Sequence, residues 1–268
     1  MLSYRHAYHA GNFADLLKHL VLCQIIDYLK KKPSPIRYID THAGAGLYDI
    51  TADKSTLTGE FARGAGALDY QGLPESISLF REIVTPYLKK GQYPGSPLIA
   101  ANLLREQDEL RLFELHNTDF PLLQDLFAGD RRVRVMHEDG FLALKALLPV
   151  KNARALVLID PSYELQQDYN QVVNTLQEGY ARMPHGVFAL WYPVIDTQGV
   201  SYLLRHVKAL TKNALWQYEL DIGSTSGMSR CGMIVLNPPW NLGAELDPLL
   251  AALERQLTSG GVYKRNNL

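Results

Sequence analysis

Apolar residues recur at helical spacing over residues 13–31, where Leu16, Leu17, Leu20, Val21, Ile25 and Leu29 form a stripe with further apolar residues between them. That pattern predicts a largely buried helix. Asn12 stands where an N-cap is needed, Lys30 to Lys32 suit the negative end of the helix dipole, and Pro33 stops the element. The period then changes. Ile36–Asp40 is a short β-prone run that leads straight into Thr41-His42-Ala43-Gly44-Ala45-Gly46, a strand followed by a glycine loop. Further strand-like runs cover residues 110–115, 133–137, 155–159, 187–191, 215–220 and 233–236, with helical stretches between the first five strands.

Alternation of this kind predicts an α/β sheet covered on both faces and joined by right-handed crossovers. Residues 222–230 are too few to hold a crossover helix, so the last strand is expected to run antiparallel to its neighbour. A seven-stranded, mostly parallel sheet with the last strand antiparallel is the Rossmann-like arrangement of class I S-adenosylmethionine-dependent methyltransferases; dinucleotide dehydrogenases usually keep six parallel strands. Over roughly residues 48–93, after the first strand, the alternation is interrupted by a polar start and a helical run over 75–89, with no convincing strand. This reads as a helical insertion within a single domain spanning residues 1–268.

Composition changes the picture little. The 268 residues, 47% hydrophobic, can close one large core. The N-terminal Met1-Leu2-Ser3-Tyr4-Arg5-His6 has no apolar leader, and no stretch approaches the roughly 18 apolar residues of a spanning helix. A cytoplasmic protein without membrane contact is expected. Cys23 and Cys231, far apart in the chain, read as buried free thiols in a reducing compartment. A net charge of -1 is unexpected for a protein of nucleic acids, so any basic footprint must be local, with Lys30 to Lys32, Lys89 and Lys90, or Arg131, Arg132 and Arg134 as candidates.

The candidate chemistry gathers at the carboxyl ends of the strands, where ligands of open α/β sheets bind. Gly44 and Gly46 let a ligand approach the backbone closely. Glu114, at the end of the second strand, can accept hydrogen bonds from ribose hydroxyls, and Asp139-Gly140 after the third can receive an adenine amino group. The fourth strand delivers Asp160-Pro161-Ser162-Tyr163. Amino-nitrogen methyltransferases carry (Asp/Asn/Ser)-Pro-Pro-(Tyr/Phe/Trp) here. Adenine N6 is a poor nucleophile because its lone pair is delocalised into the ring. Hydrogen bonds to the Asp160 carboxylate and the Pro161 carbonyl would let the nitrogen pyramidalise towards the donor methyl, while Tyr163 would stack on an extruded base. Ser162 in place of the second proline removes a ring that stiffens the loop. Asn237-Pro238-Pro239-Trp240 is a better literal match, but it follows the reversed strand and is expected at the opposite edge as a rigid chain exit.

Tyr4-Arg5-His6-x-x-His9-Ala10-Gly11-Asn12-x-Ala14-Asp15-x-x-Lys18-His19, Asp40 to Gly46, Tyr93-Pro94-Gly95-Ser96-Pro97, Glu114-Leu115-His116, Asp139-Gly140-Phe141, Asp160-Pro161, Trp191-Tyr192-Pro193 and Gly232 to Trp240 together resemble the RlmJ family of 23S ribosomal RNA adenine-N6 methyltransferases over nearly the whole chain. The resemblance implies S-adenosyl-L-methionine as cofactor and an adenine in free or partly assembled 23S ribosomal RNA as substrate. It implies cofactor contacts at Lys18, His19, His42, Gly44, Ser96, Glu114, Asp139, Gly140 and Asp160, with Asp160, Pro161 and Tyr163 catalytic. It also implies a substrate contact at Tyr4. Read from the residues alone, Tyr4, Arg5 and His6 interleave aromatics with cations, which suits RNA. His6 and His9 lack the cysteine or carboxylate cluster that would complete a metal site, so none is expected. His19 on an apolar helix would otherwise be a core histidine. A monomer is expected. A DNA-adenine or protein-amide methyltransferase, a non-catalytic nucleic-acid-binding or DNA-utilisation factor, and a dehydrogenase remain as competing readings.

Overall fold

The computed structural model describes residues 6–51, 59–164, 167–224, 227–258 and 263–267. Helix α1 (Phe13–Lys30) starts where Asn12 Oδ1 accepts a hydrogen bond from the Asp15 N–H at 3.0 Å, and it is buried along nearly its whole length. It leads into β1 (Ile36–Asp40), which ends at the glycine loop. A three-residue strand, β2 (Leu47–Asp49), follows; then come the short helix α2 (Glu60–Arg63), α3 (Ser78–Leu88) and β3 (Gln92–Pro94). The remaining elements are α4 (Ser96–Leu103), β4 (Glu109–Phe113), α5 (Asp119–Leu126), β5 (Val133–Met136), α6 (Gly140–Leu147), β6 (Arg154–Ile159), α7 (Gln167–Arg182), β7 (Val187–Pro193), α8 (Thr197–Leu210), β8 (Leu215–Asp221), β9 (Arg230–Leu236), α9 (Leu242–Leu257) and β10 (Tyr263–Asn267).

The main sheet has eight strands in the order β10-β8-β9-β7-β6-β1-β4-β5. β1 pairs in parallel with both β4 and β6, so the chain reverses direction of winding at β1 and opens a crevice at its carboxyl end. β9 is antiparallel to both β7 and β8, as the short connection before it requires. The seven strands expected from sequence are all present. An eighth, β10, extends the sheet antiparallel to β8. The 48–93 region also departs from expectation, because Leu47–Asp49 and Gln92–Pro94 pair antiparallel and bring its two ends together. Strands of three residues carry too little alternation to be read from sequence.

Side chains alternate across the sheet and divide the core. Tyr38, Leu156 and Leu158 face α1, α4 and α9, whereas Ile39, Val157 and Ile159 face α6, α7 and α8. The loops at the carboxyl edge are held by close backbone approach. A Cβ on Gly140 would lie 2.1 Å from the Thr41 carbonyl oxygen, and Gly44 and Gly46 adopt left-handed φ values of 62° and 76°. Gly140→Ala must push the β5–α6 turn away from the glycine loop. We expect a loss of about 1–3 kcal/mol, read from the urea midpoint at unchanged slope; an unchanged midpoint would contradict the close approach.

Candidate active site

The site grows from the carboxyl ends of β1, β4, β5, β6 and β7, with the amino end of α1 packed over them. Asp40, the last residue of β1, is fully buried and accepts hydrogen bonds from Tyr38 Oη at 2.6 Å and Ser96 Oγ at 2.7 Å, while the His42 N–H bonds its other oxygen at 3.3 Å. Burial raises its carboxyl above the usual carboxylate range, against the pull of those two hydroxyls. Asp40 and Ser96 therefore act together, fastening the glycine loop to the start of α4.

Glu114 follows β4 and accepts the Gly44 N–H at 2.7 Å and the His116 N–H at 2.6 Å. Burial raises its carboxyl too, partly offset by these backbone donors. Asp139 caps α6, its Oδ1 accepting the N–H groups of Phe141 and Leu142 at 2.8 and 3.3 Å. His42 is half-buried, edge-on to the Phe141 ring at 4.6 Å, and desolvation holds its imidazole neutral by lowering its pKa.

At the end of β6, Asp160 Oδ2 accepts from Lys18 Nζ at 2.5 Å, and Lys18 also contacts Asp15 Oδ1 at 2.9 Å. Burial alone would discharge this lysine. The two carboxylates overcome that penalty and lift its pKa well above the ordinary value. Asp15 is buried as well, yet its contacts with His6 and Lys18 keep its carboxyl well below the usual range. Its Oδ2 accepts the Gly11 N–H at 2.8 Å and faces His6 Nε2 at 3.0 Å.

These groups share one cavity of about 550 Å³. It brings together His6, Lys18, His42, Gly44, Ser96, Glu114, Asp139, Gly140, Asp160 and Pro161 of the residues expected from sequence. Two expected residues do not face it. His19 is fully buried and lies behind the lining: its Nδ1 bonds Tyr93 Oη at 2.9 Å and its ring stacks on that of Tyr93. Tyr163 has a left-handed φ of 50°, which turns its ring inward against Tyr169 at 4.8 Å; its hydroxyl donates to the Trp191 carbonyl at 2.9 Å. It anchors the Asp160 loop and leaves no face for stacking on a base. Tyr4 and Arg5 lie outside the described residues. Asn237, at the head of the second proline motif, bonds the carbonyls of Pro184 and Gly186 at the opposite edge of the sheet, 2.8 and 2.7 Å away.

Several lining residues escaped the sequence reading of single motifs. Asp15 lay within the N-terminal string, and Phe141 and Trp191 within shorter ones, without a role attached to any of them. Glu60 and Arg63 of α2 carried no motif at all. Glu60 accepts from Asn12 Nδ2 at 3.0 Å and lies 3.0 Å from His9 Nδ1, tying α2 to the N-terminal segment. His6 and His9 are thus each committed to a separate carboxylate. Among the described residues, no group of three His, Cys, Asp or Glu side chains is placed to hold a metal ion, and no helix is long and apolar enough to cross a membrane.

The donor set suits a nucleoside-like ligand bearing a positive charge. A cavity of about 550 Å³ is ample for such a molecule. Glu114 offers a desolvated carboxylate beside a glycine turn, Asp139 has an oxygen beyond its capping bond, and the lining is rich in carboxylates. Fold and site together define a Rossmann-like methyltransferase that uses S-adenosyl-L-methionine.

Residues 33–267 match the family described as Ribosomal RNA large subunit methyltransferase D, RlmJ. The chain is 45% identical over 268 residues to Ribosomal RNA large subunit methyltransferase J of Escherichia coli (strain K12), covering 97% of this chain and 96% of that protein. Its identity to the protein of the same description from Haemophilus influenzae is 42% over 269 residues, with the same coverage. The crystal structure of a Legionella pneumophila protein superposes with a TM-score of 0.91 at 32% identity, covering 97% of this chain and 98% of that one. The chain belongs to the RlmJ family of ribosomal RNA large subunit methyltransferases.

Two outcomes test this geometry. Glu114→Gln keeps an acceptor for the Gly44 N–H but removes the charge, and should weaken S-adenosyl-L-methionine binding about tenfold by calorimetry, with the melting temperature little changed. The hydrogen bond from His9 to the Glu60 carboxylate raises the His9 pKa above 6.5, outweighing desolvation. The contact therefore stabilises the N-terminal segment below neutral pH and fades as pH rises through the His9 value. Proteolytic nicking around residues 6–12 should increase over that rise, and Glu60→Gln should abolish the pH dependence.

Proposed function

We propose that this chain transfers a methyl group to the exocyclic N6 of an adenine in 23S ribosomal RNA, presented free or partly assembled, and that it does so in the cytoplasm as a monomer. The observation that carries the reading is the position of Asp160-Pro161 at the end of β6. They border the same cavity as Glu114 and Asp139, and Asp160 is held by Lys18 through Oδ2, with Oδ1 making no hydrogen bond to a described residue. Relatives sharing 42–45% of this sequence bear the description of ribosomal RNA large subunit methyltransferases.

The residues divide the work. Gly44, Glu114, Asp139, Gly140 and Phe141 form the cofactor half at the ends of β1, β4 and β5. S-adenosyl-L-methionine, when bound there, supplies an electrophilic methyl group. Asp160, Pro161, Ser162, Trp191 and Pro193 form the substrate half at the ends of β6 and β7. The Asp160 carboxylate and Pro161 carbonyl accept hydrogen bonds from the amino nitrogen and turn its lone pair out of conjugation. With Tyr163 facing inward, Trp191 provides the aromatic wall for the base. Ser162 costs the loop one ring, but the Tyr163–Trp191 hydrogen bond holds its conformation. We read residues 48–93 as an insertion in a single domain, placed to meet the RNA through α2.

Transfer of a labelled methyl group to protein-free 23S RNA, with the product digested and identified by mass spectrometry, tests the reading. N6-methyladenosine should form with wild type and fall about 10²–10³-fold with Asp160→Asn, which keeps the side chain's shape and an oxygen acceptor for Lys18, in a protein that melts cooperatively and still binds cofactor measurably. Transfer to duplex DNA instead of RNA, or none to either, would overturn it.

A further inference from the structure

Resting on the reading of RNA as substrate, we propose that Arg63 binds the phosphate of the nucleotide whose base enters the cavity. The difficulty it answers is electrostatic. An adenine cannot reach Asp160 without bringing its own phosphate to the mouth of the cavity, whose lining carries the partly or fully exposed Glu60, Asp139, Glu164 and Asp168. A phosphate held among carboxylates is repelled unless a cation meets it.

Among the described residues, Lys18 and Arg63 are the lysine and arginine side chains that line the cavity. Lys18 cannot serve. It is 5% exposed and sits between Asp15 and Asp160, so a phosphate could reach it only by displacing the catalytic carboxylate. Arg63 is exposed, ends α2 and presents a planar guanidinium, which matches phosphate oxygens in pairs. Its neighbour Glu60 accepts from Asn12 and faces His9, and the Arg63 charge also helps to hold that carboxyl below its ordinary range.

The backbone around Arg63 is fixed relative to the catalytic groups. The Ala65 N–H donates to the Gly11 carbonyl at 2.8 Å, and a Cβ on Gly64 would lie 2.3 Å from that same oxygen. Gly11 in turn donates to Asp15, which contacts Lys18 and, through it, Asp160. A short rigid path thus sets the spacing between the cation at the rim and the carboxylate at the floor. Only glycine at position 64 permits this approach.

The test compares wild type, Arg63→Ala and Arg63→Lys by fluorescence anisotropy with a protein-free 23S RNA fragment over a range of salt, and by methyl transfer to the same RNA. Arg63→Ala should weaken RNA binding about tenfold and make the slope of log affinity against log salt shallower by about one. KM for RNA should rise with kcat nearly unchanged, S-adenosyl-L-methionine affinity should be unaltered, and Arg63→Lys should recover part of the loss. Equal affinity and equal salt slope for wild type and Arg63→Ala would overturn the proposal, whatever the transfer assay gives. Salt-dependent, Arg63-dependent RNA binding by a wild-type protein that transfers no methyl group would instead sustain the phosphate contact and overturn the proposed reaction.

Discussion

The structure turns on a lysine buried between two carboxylates. Taking the Lys18 ammonium out of water is unfavourable by several kcal/mol, and it is tolerated here only because Asp15 and Asp160 meet it from two sides. Asp15, almost fully buried, keeps its charge with the help of that ammonium. Asp15 adds the Gly11 N–H and His6 to its shell, so the charge is spread over a chain of contacts from the N-terminal segment to the end of β6. Removing one member would strand the others, a loss on the order of 3–5 kcal/mol for a broken buried pair. The arrangement makes α1 more than a core helix: one end of it fixes the position of Asp160 at the cavity.

Around that ion cluster the cavity is shaped by backbone more than by side chains. Thr41 and the Gly140 turn touch directly, the left-handed Gly44 offers its N–H to Glu114, and Asp40 pins the loop to α4 through Ser96. Tyr163 adopts a left-handed conformation that costs a non-glycine residue on the order of 1–3 kcal/mol. Burial of its ring and the bond to Trp191 offset that cost. The Asp160 loop is thereby held from beneath, by a residue whose motif position suggested a place facing the ligand.

That case marks where sequence stops being informative. Glu114, Asp139 and Asp160 could be found because a strand's carboxyl end is legible from its apolar run, and ligands gather there in any open α/β sheet. The reversal of β9 was legible from the length of the loop before it. Side-chain direction was not. Lys18 and His19 are adjacent in one motif, yet about 100° of helical rotation separates them and sends His19 to Tyr93. The Lys18–Asp160 pair joins residues 142 positions apart, which no local pattern encodes. β10 is recruited by pairing with β8, whereas β2 and β3 pair only with each other, closing the segment that carries Glu60 and Arg63 to the cavity.

The charge distribution reconciles a net charge of -1 with an RNA substrate. A carboxylate-rich cavity repels phosphate but attracts what must go deepest: a sulfonium and the amino groups of adenine, all positive or hydrogen-bond donating. A basic cavity of the same shape would draw the RNA backbone inward and compete with the base for the floor. With the phosphate contact proposed for Arg63, an acidic floor and a cation at the rim would separate the two by charge and favour entry base first. Selectivity for orientation then comes from the field of the site before any contact with the base is made. Among the described residues, Lys18 and Arg63 alone bring lysine or arginine to this lining, which fits a site that would sort base from phosphate.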